Sequence, residues 1–93
     1  MYGVTESSGY RRSHKRVSQY RNFDQMALDK VVNALIKGER LASRHHDHEL
    51  KGEYAGIREC HIKNDLLLLY QQRDDVLVLL LVDIGTHASV FGK

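Results

Sequence analysis

Residues 56–91 read GIRECHIKNDLLLLYQQRDDVLVLLLVDIGTHASVF, and this stretch decides the fold. It contains two apolar runs, each bounded by polar residues that favour turns. The runs predict strands at 66–72 and 76–82, and the alternating segment before them predicts a strand at 57–62. Short connections join antiparallel strands, so the three strands should form a meander. Because the two apolar strands are hydrophobic at consecutive positions, both of their faces should be at least partly covered.

Two helices are predicted on the N-terminal side of this meander. The first spans 8–20, and the second begins after Asp24 as N-cap and stops at Gly38. The three or four residues between them favour an antiparallel helical hairpin. A two-residue alternation of apolar residues predicts a short edge strand at 1–6. The polar segment 38–56 predicts a loop. The predicted fold is therefore α+β, with the order β-α-α-β-β-β and a helical hairpin packed on a mostly antiparallel four-stranded sheet.

Length and composition predict one soluble globular domain, residues 1–93. Hydrophobic residues make up 42% of the chain and charged residues 28%, which argues against a disordered or collagen-like chain. The longest apolar run, 76–82, is far shorter than the roughly 20 residues of a membrane helix. The first residues lack the basic and then apolar order of an export signal, so we expect a cytoplasmic protein without membrane contact.

Cys60 is the only cysteine, which excludes an internal disulfide and favours a reducing compartment. A lone cysteine between hydrophobic residues is most often a buried packing residue.

The net charge of +2 is unevenly distributed. Residues 7–21 contain five basic side chains and no acidic one. Such a segment predicts either a surface for a polyanion such as ribosomal RNA, or simply a solvated helix face.

Histidines and one carboxylate lie where the predicted strands begin, turn or end. They are His48, His61, Asp65 and His87, with Phe91 close behind the last of them. Imidazole titrates near neutral pH, so this set suggests proton transfer. Metal-free cleavage of RNA needs a base for the 2′-hydroxyl, an acid for the departing 5′-oxygen and cations for the phosphate. Each histidine alone is weak support, since an isolated histidine on a strand is usually only hydrogen-bonded or solvated.

The cluster of His45, His46 and His48, with Asp47, offers zinc as an alternative. Adjacent histidines in a polar loop without a second ligand cluster rarely form such a site, and the sequence favours no cofactor.

Four segments carry a more specific resemblance: DHELKG at 47–52, GIRECHIKND at 56–65, LLLY at 67–70 and GTHASVF at 85–91. Together they resemble the YafQ branch of the RelE/ParE toxin superfamily, the endoribonuclease toxins of bacterial type II toxin-antitoxin pairs. The helical hairpin before them fits the family order of one strand, two helices and three strands.

The resemblance implies an mRNA interferase that enters the ribosomal A site, cleaves translated mRNA and inhibits translation. Its implied partners are the ribosome, mRNA and a ribbon-helix-helix antitoxin similar to DinJ or RelB, through which it would reach operator DNA. Residue by residue, it implies a catalytic set at His48, His61, Asp65 and His87, and a substrate-lining aromatic at Phe91. His87 matches the general acid, and either His61 or His48 would be the base, with Asp65 orienting an imidazole.

Two further residues, Lys51 and Arg58, are candidates for binding RNA phosphates. Arg58 shares strand parity with Cys60 and Ile62, so a structural ion pair is an equal alternative.

Two positions depart from the family pattern. Leu66 stands where relatives commonly have Trp, and Asp83 stands where they often have Arg. The first removes a surface for base stacking, and the second places an anion beside a phosphate site. These changes predict reduced activity, and they support an alternative function: a weakened toxin-fold module that binds an antitoxin and modulates repression of their operon.

Overall fold

The structure is a computed structural model, and it describes residues 1–92. Five strands form one mixed sheet, two helices cover one face, and a short third helix lies against two central strands. The elements in chain order are β1 (Gly3–Glu6), α1 (Ser8–Val17), α2 (Gln25–Ile36), β2 (His48–Glu49), β3 (Arg58–Lys63), β4 (Leu66–Arg73), β5 (Val78–Gly85) and α3 (His87–Phe91).

The strands lie in the order β1-β5-β4-β3-β2. The predicted meander is confirmed, because β3, β4 and β5 pair antiparallel in sequence. The four-strand count is wrong, since the segment predicted as a loop contributes β2, which pairs antiparallel with β3. A two-residue strand carries no periodicity of its own, so its pairing is visible only in three dimensions. The edge strand β1 is parallel to β5, which gives the mixed sheet.

Local capping chemistry fixes both long helices. The Ser7 hydroxyl accepts from the backbone N–H of Tyr10 at the start of α1, and the Asp24 carboxylate accepts from Ala27 N–H at the start of α2. Gly38, just beyond α2, adopts a φ of +75°, which glycine tolerates best. The first helix ends at Val17, three residues earlier than predicted, so seven residues, 18–24, join it to α2.

The hydrophobic core lies between the two long helices and one face of the sheet. We call this side of the sheet the helix face. Buried side chains on it include Tyr10 and Val17 of α1, Leu28, Val31 and Leu35 of α2, and Cys60, Ile62, Leu68, Tyr70, Leu79, Leu81 and Ile84 of the strands.

The opposite side of the sheet carries the site, and we call it the histidine face. Leu67 and Leu69 alternate with Leu68 and Tyr70, so they point to this face, and both are buried. Their cover includes α3, which packs against β4 and β5. The prediction that both faces of the central strands are covered is therefore confirmed.

The third meander strand begins two residues later than predicted. Val76 and Leu77 lie in the turn, where both are exposed and Leu77 has a φ of +54°. No helix within residues 1–92 has the length and hydropathy needed to cross a bilayer.

Candidate active site

Strand register brings His48, Glu59 and His61 together on the histidine face. His48 of β2 lies opposite Glu59 of β3, and His61 follows Glu59 by one two-residue period. The Glu59 carboxylate lies 3.5 Å from His48 Nε2 and 3.7 Å from His61 Nε2. Glu59 is only 4% exposed, which places a buried carboxylate between two imidazoles. It offers a counter-charge to whichever imidazole is protonated.

Two imidazoles of residues 45–48 are fixed by hydrogen bonds to backbone carbonyl oxygens, one within this segment and one to β3. The Nδ1 atom of His48 lies 2.6 Å from the carbonyl oxygen of His46, and Nδ1 of buried His45 lies 2.6 Å from the carbonyl oxygen of His61. A carbonyl can only accept, so both Nδ1 atoms carry the proton. The Nε2 atom of His48 is consequently the nitrogen that can accept a proton, and it faces Glu59.

The short helix α3 folds back over the end of β5. The Thr86 hydroxyl accepts from Ser89 N–H and caps it. A Cβ at Gly85 would collide with the Ser89 hydroxyl, so the absence of a side chain allows the close return of the helix. The predicted closing turn at 87–91 is confirmed.

An aromatic cluster links α3 to the segment after β2. The ring of Phe91 lies 4.9 Å from that of His87 and 5.3 Å from that of Tyr54, between centroids. Tyr54 lies in a 3₁₀ turn, Gly52–Tyr54, that follows β2 by three residues. The cluster therefore joins α3 to the loop between β2 and β3.

The register of the sheet gives the relation of His61 to His87. His61 lies opposite Leu67, and Leu67 lies opposite Gly85, two residues before His87. Two inter-strand spacings separate His61 from Gly85, which is about 10 Å. The strand position of His61 and the residue two before His87 thus lie on either side of Leu67.

Asp65 lies at the turn between β3 and β4 and is exposed. It lines a cavity of 190 Å³ together with Leu66, Phe23 and Thr86. The structure therefore places Asp65 beside the start of α3 rather than beside the Glu59 pair. Leu66 packs partly buried against the helix-face core, so it offers no stacking surface to a nucleobase.

Arg58 is not brought to the histidine face. Its Nε atom lies 3.3 Å from Asp47, and the hydroxyl of Tyr70 donates to the same carboxylate at 2.5 Å. Burial, followed by the hydrogen bond to Asp47, raises the pKa of Tyr70, so its hydroxyl remains a neutral donor. This network connects Asp47, the residue before His48, to the core. Arg58 therefore forms an ion pair, which was the structural alternative to its predicted contact with RNA phosphate. Lys51, in contrast, is exposed.

Asp83 lies on the histidine face. It is in register with Leu69, which lies opposite Glu59, and its carboxylate accepts from Ile84 N–H at 2.9 Å. The carboxylate is half-buried and adds negative charge to the floor of the site.

Cys60 has the packing role that the sequence predicts. It is fully buried on the helix face, and burial raises the pKa of its thiol to about 12. A thiol so protonated is a poor nucleophile.

Among residues 1–92, no three His, Cys, Asp or Glu side chains are grouped so that they could hold a metal ion. The three neighbouring histidines point to different partners: His45 to the backbone of His61, His46 to the His61 ring and His48 to Glu59.

Sequence reasoning missed Glu59 and Tyr54, and it considered His46 only as a zinc ligand. Strand parity places Glu59 on the same side as His61, but an exposed acid is the usual outcome there. Only the pairing of β2 with β3 buries it. Tyr54 and His46 lie in irregular segments, where no periodicity points to their neighbours.

Comparison with known proteins adds to this geometry. The family described as "Bacterial toxin of type II toxin-antitoxin system, YafQ" matches residues 2–92. The mRNA interferase toxin YafQ of Escherichia coli K12 is 32% identical over 88 residues, which cover 94% of each chain. Two solved structures share the fold: a metal-bound toxin from Helicobacter pylori (TM-score 0.89, 37% identity, covering 98% of this chain and 100% of that one) and YafQ in the E. coli DinJ-YafQ complex (TM-score 0.87, 27% identity, covering 99% and 100%).

Proposed function

The chain belongs to the YafQ family of bacterial toxins of type II toxin-antitoxin systems, and we propose that it is an mRNA interferase that cuts translated mRNA on the ribosome. The observation that supports this proposal is the pair His48 and His61 around buried Glu59, and α3, which carries His87, packs against the neighbouring strands β4 and β5.

The proposed reaction is a metal-free transfer at phosphorus. A neutral imidazole of His61 or His48 takes the proton of the 2′-hydroxyl, and O2′ attacks the adjacent phosphorus. The P–O5′ bond breaks while His87, protonated, donates its proton to the departing 5′-oxygen. The products are a 2′,3′-cyclic phosphate and a 5′-hydroxyl, and one proton has passed from substrate to enzyme and one from enzyme to substrate.

Glu59 acts in this scheme as a positioning residue. Its carboxylate faces both Nε2 atoms and stabilises the imidazolium that forms when the base takes its proton. Asp65, beside the start of α3, would act on the His87 side. Phe91, whose ring packs at a tilted angle against that of His87, would contact a base or ribose of the substrate, and exposed Lys51 would contact phosphate.

The test is expression of the chain alone and of matched histidine variants. We expect wild-type protein to arrest growth and to produce cuts within translated codons, mapped by primer extension. His87→Ala should relieve both effects. His14→Ala is the control, because His14 lies on α1 between Tyr10 and Phe23, away from the histidine face. Intact translated mRNA after expression of soluble wild-type protein would overturn the proposal.

A DinJ-like antitoxin is the proposed partner, since the E. coli relative was solved in a complex with DinJ. Such an antitoxin would cover the basic face of α1 or displace α3, and operator DNA would be reached through that complex. Copurification with the product of a neighbouring ribbon-helix-helix gene tests this pairing.

A second candidate function is a binding module with little catalysis. It is favoured by Asp83, whose carboxylate lies on the histidine face, and by Leu66, which points to the helix-face core. Asp83→Arg together with Leu66→Trp should then create cleavage that the parent lacks. If the parent already cleaves at a rate the double variant does not exceed, this candidate is wrong.

A further inference from the structure

A pocket beside His61 is lined almost entirely by nitrogen-bearing side chains. It has a volume of 370 Å³ and its lining contains no carboxylate. The lining residues are Arg44, His45, His46, His61, Ile62, Lys63 and Asn64. A pocket with this lining attracts an anion.

We propose that Arg44 and His46 form a subsite for the RNA phosphate next to the scissile one, with His61 shared between the two positions. This inference rests on the proposed endoribonuclease function and adds substrate-binding residues to it. It depends on three observations within residues 1–92: the unpaired charge of Arg44, the fixed position of His46, and the position of the pocket beside His61.

Arg44 is the free cation of the pocket. Lys63 is already paired, because its Nζ atom lies 3.1 Å from the Asp24 carboxylate. No carboxylate of residues 1–92 lies within ion-pair distance of Arg44, which is exposed. A guanidinium without a protein partner can bind a phosphate through two parallel hydrogen bonds.

His46 is held in place at an uncommon backbone angle. Its φ is +48°, in the left-handed region, and its own N–H and C=O are both bonded, to Ser43 and His48 respectively. Its ring lies edge-on to His61, with 5.3 Å between centroids. Residues in this region of φ are costly and tend to occur at functional sites, and here the cost places a second imidazole beside the first.

The pocket adjoins the candidate catalytic residue His61 on one side and a larger groove on the other. It includes His61, and it shares Arg44 with a groove of 620 Å³ that runs along α2 and contains Arg40. A phosphate in this pocket would therefore adjoin His61, as expected for an RNA strand that continues beyond the scissile linkage. An acidic antitoxin side chain has the same charge as a phosphate, but Ile62 is the only hydrophobic residue among residues 1–92 that lines the pocket, whereas the centre of a protein interface is usually rich in aromatic residues.

The test measures binding separately from cleavage. In a His87→Ala background, fluorescence anisotropy reports binding of a labelled single-stranded oligoribonucleotide over a range of salt concentrations. Arg44→Gln should weaken binding about tenfold at low salt. It should also reduce the slope of log affinity against log salt by about 0.7, the value for one lost phosphate contact on a single strand.

Three further variants test whether the effect comes from this pocket, from a bidentate contact and from His46. Arg40→Gln removes the same charge from the groove but not from the pocket, and should keep the slope closer to that of the parent. Arg44→Lys should retain the slope and recover only part of the affinity, because an ammonium cannot make the bidentate contact. Asparagine tolerates the left-handed backbone angle of position 46, so His46→Asn should weaken RNA binding without altering the melting temperature.

With His87 restored, Arg44→Gln should raise KM and leave kcat within about twofold. Equal effects of the Arg44 and Arg40 variants on the slope would overturn the subsite while leaving the nuclease intact. Weaker antitoxin binding with unchanged RNA binding would also overturn it and assign the pocket to the antitoxin. Failure of the proposed function appears differently, as wild-type protein that binds the oligoribonucleotide but leaves translated mRNA whole.

Discussion

Replacing Glu59 with Gln removes one negative charge from the histidine face and keeps the size of the side chain. The carboxylate lies 3.5 Å from His48 and 3.7 Å from His61. For one such pair of unit charges, Coulomb's law gives about 1 kcal/mol in water and about 4 to 5 kcal/mol at an effective dielectric constant of 20. The His48 side chain is 51% exposed and that of His61 is 35% exposed, so water screens both pairs. We therefore expect a loss near the lower limit, about 1.4 kcal/mol, which is about tenfold in kcat.

The assay is single-turnover cleavage of mRNA on purified ribosomes, with thermal unfolding measured on the same protein. A positioning role for Glu59 predicts that kcat falls while KM and the melting temperature change little, and that Glu59→Asp recovers part of the rate. A merely structural role would lower the melting temperature and leave the kcat of the folded fraction as it was. Glu59→Gln protein with kcat within twofold of wild type would refute the argument that this charge stabilises an imidazolium.

Two further predictions concern buried groups on the helix face. Tyr70→Phe removes the hydroxyl that donates to Asp47 and should cost about 1.5 to 3 kcal/mol of unfolding free energy in urea titration, whereas Tyr2→Phe, which removes an exposed hydroxyl from Asp74, should cost less. Because burial raises the pKa of the Cys60 thiol from 9.0 to about 12, unfolding releases a proton above pH 9, and stability should fall as pH rises through this window by up to about 1.4 kcal/mol per pH unit for this group. The stability of the Cys60→Ala variant should fall less steeply over the same pH window. Parallel curves of stability against pH for the two proteins would contradict the burial argument.

The helices show what local sequence determines. Asp24, the apolar positions of α2 and Gly38 act over one or two turns, and α2 begins and ends where those residues predict. The end of α1 was overestimated because Tyr20 continues the apolar stripe. In the structure Tyr20 is 48% exposed and follows the helix, so the stripe indicates packing only as far as Val17.

The strands show which features depend on contacts between residues that are distant in sequence. The meander followed from apolar runs and turns, but β2 has only two residues and exists because β3 pairs with it. Strand register brings the predicted site residues His48 and His61 together on one face, and α3 brings His87 beside Phe91. Asp65 lies nearer to the start of α3, and Arg58 lies on the opposite face with Asp47.

By itself, the sequence determined the order of the helices and of the strands other than β2, the buried thiol and the residues that resemble the YafQ toxins. Those features depend on neighbours within a turn or a strand, or on residue identities that are already present in the chain. Only the tertiary structure decided that Glu59 is buried between two imidazoles and that Arg44 has no ion-pair partner among residues 1–92. Burial and ion pairing depend on which distant segments cover a side chain, and here β2, the segment around His46 and α3 provide that cover.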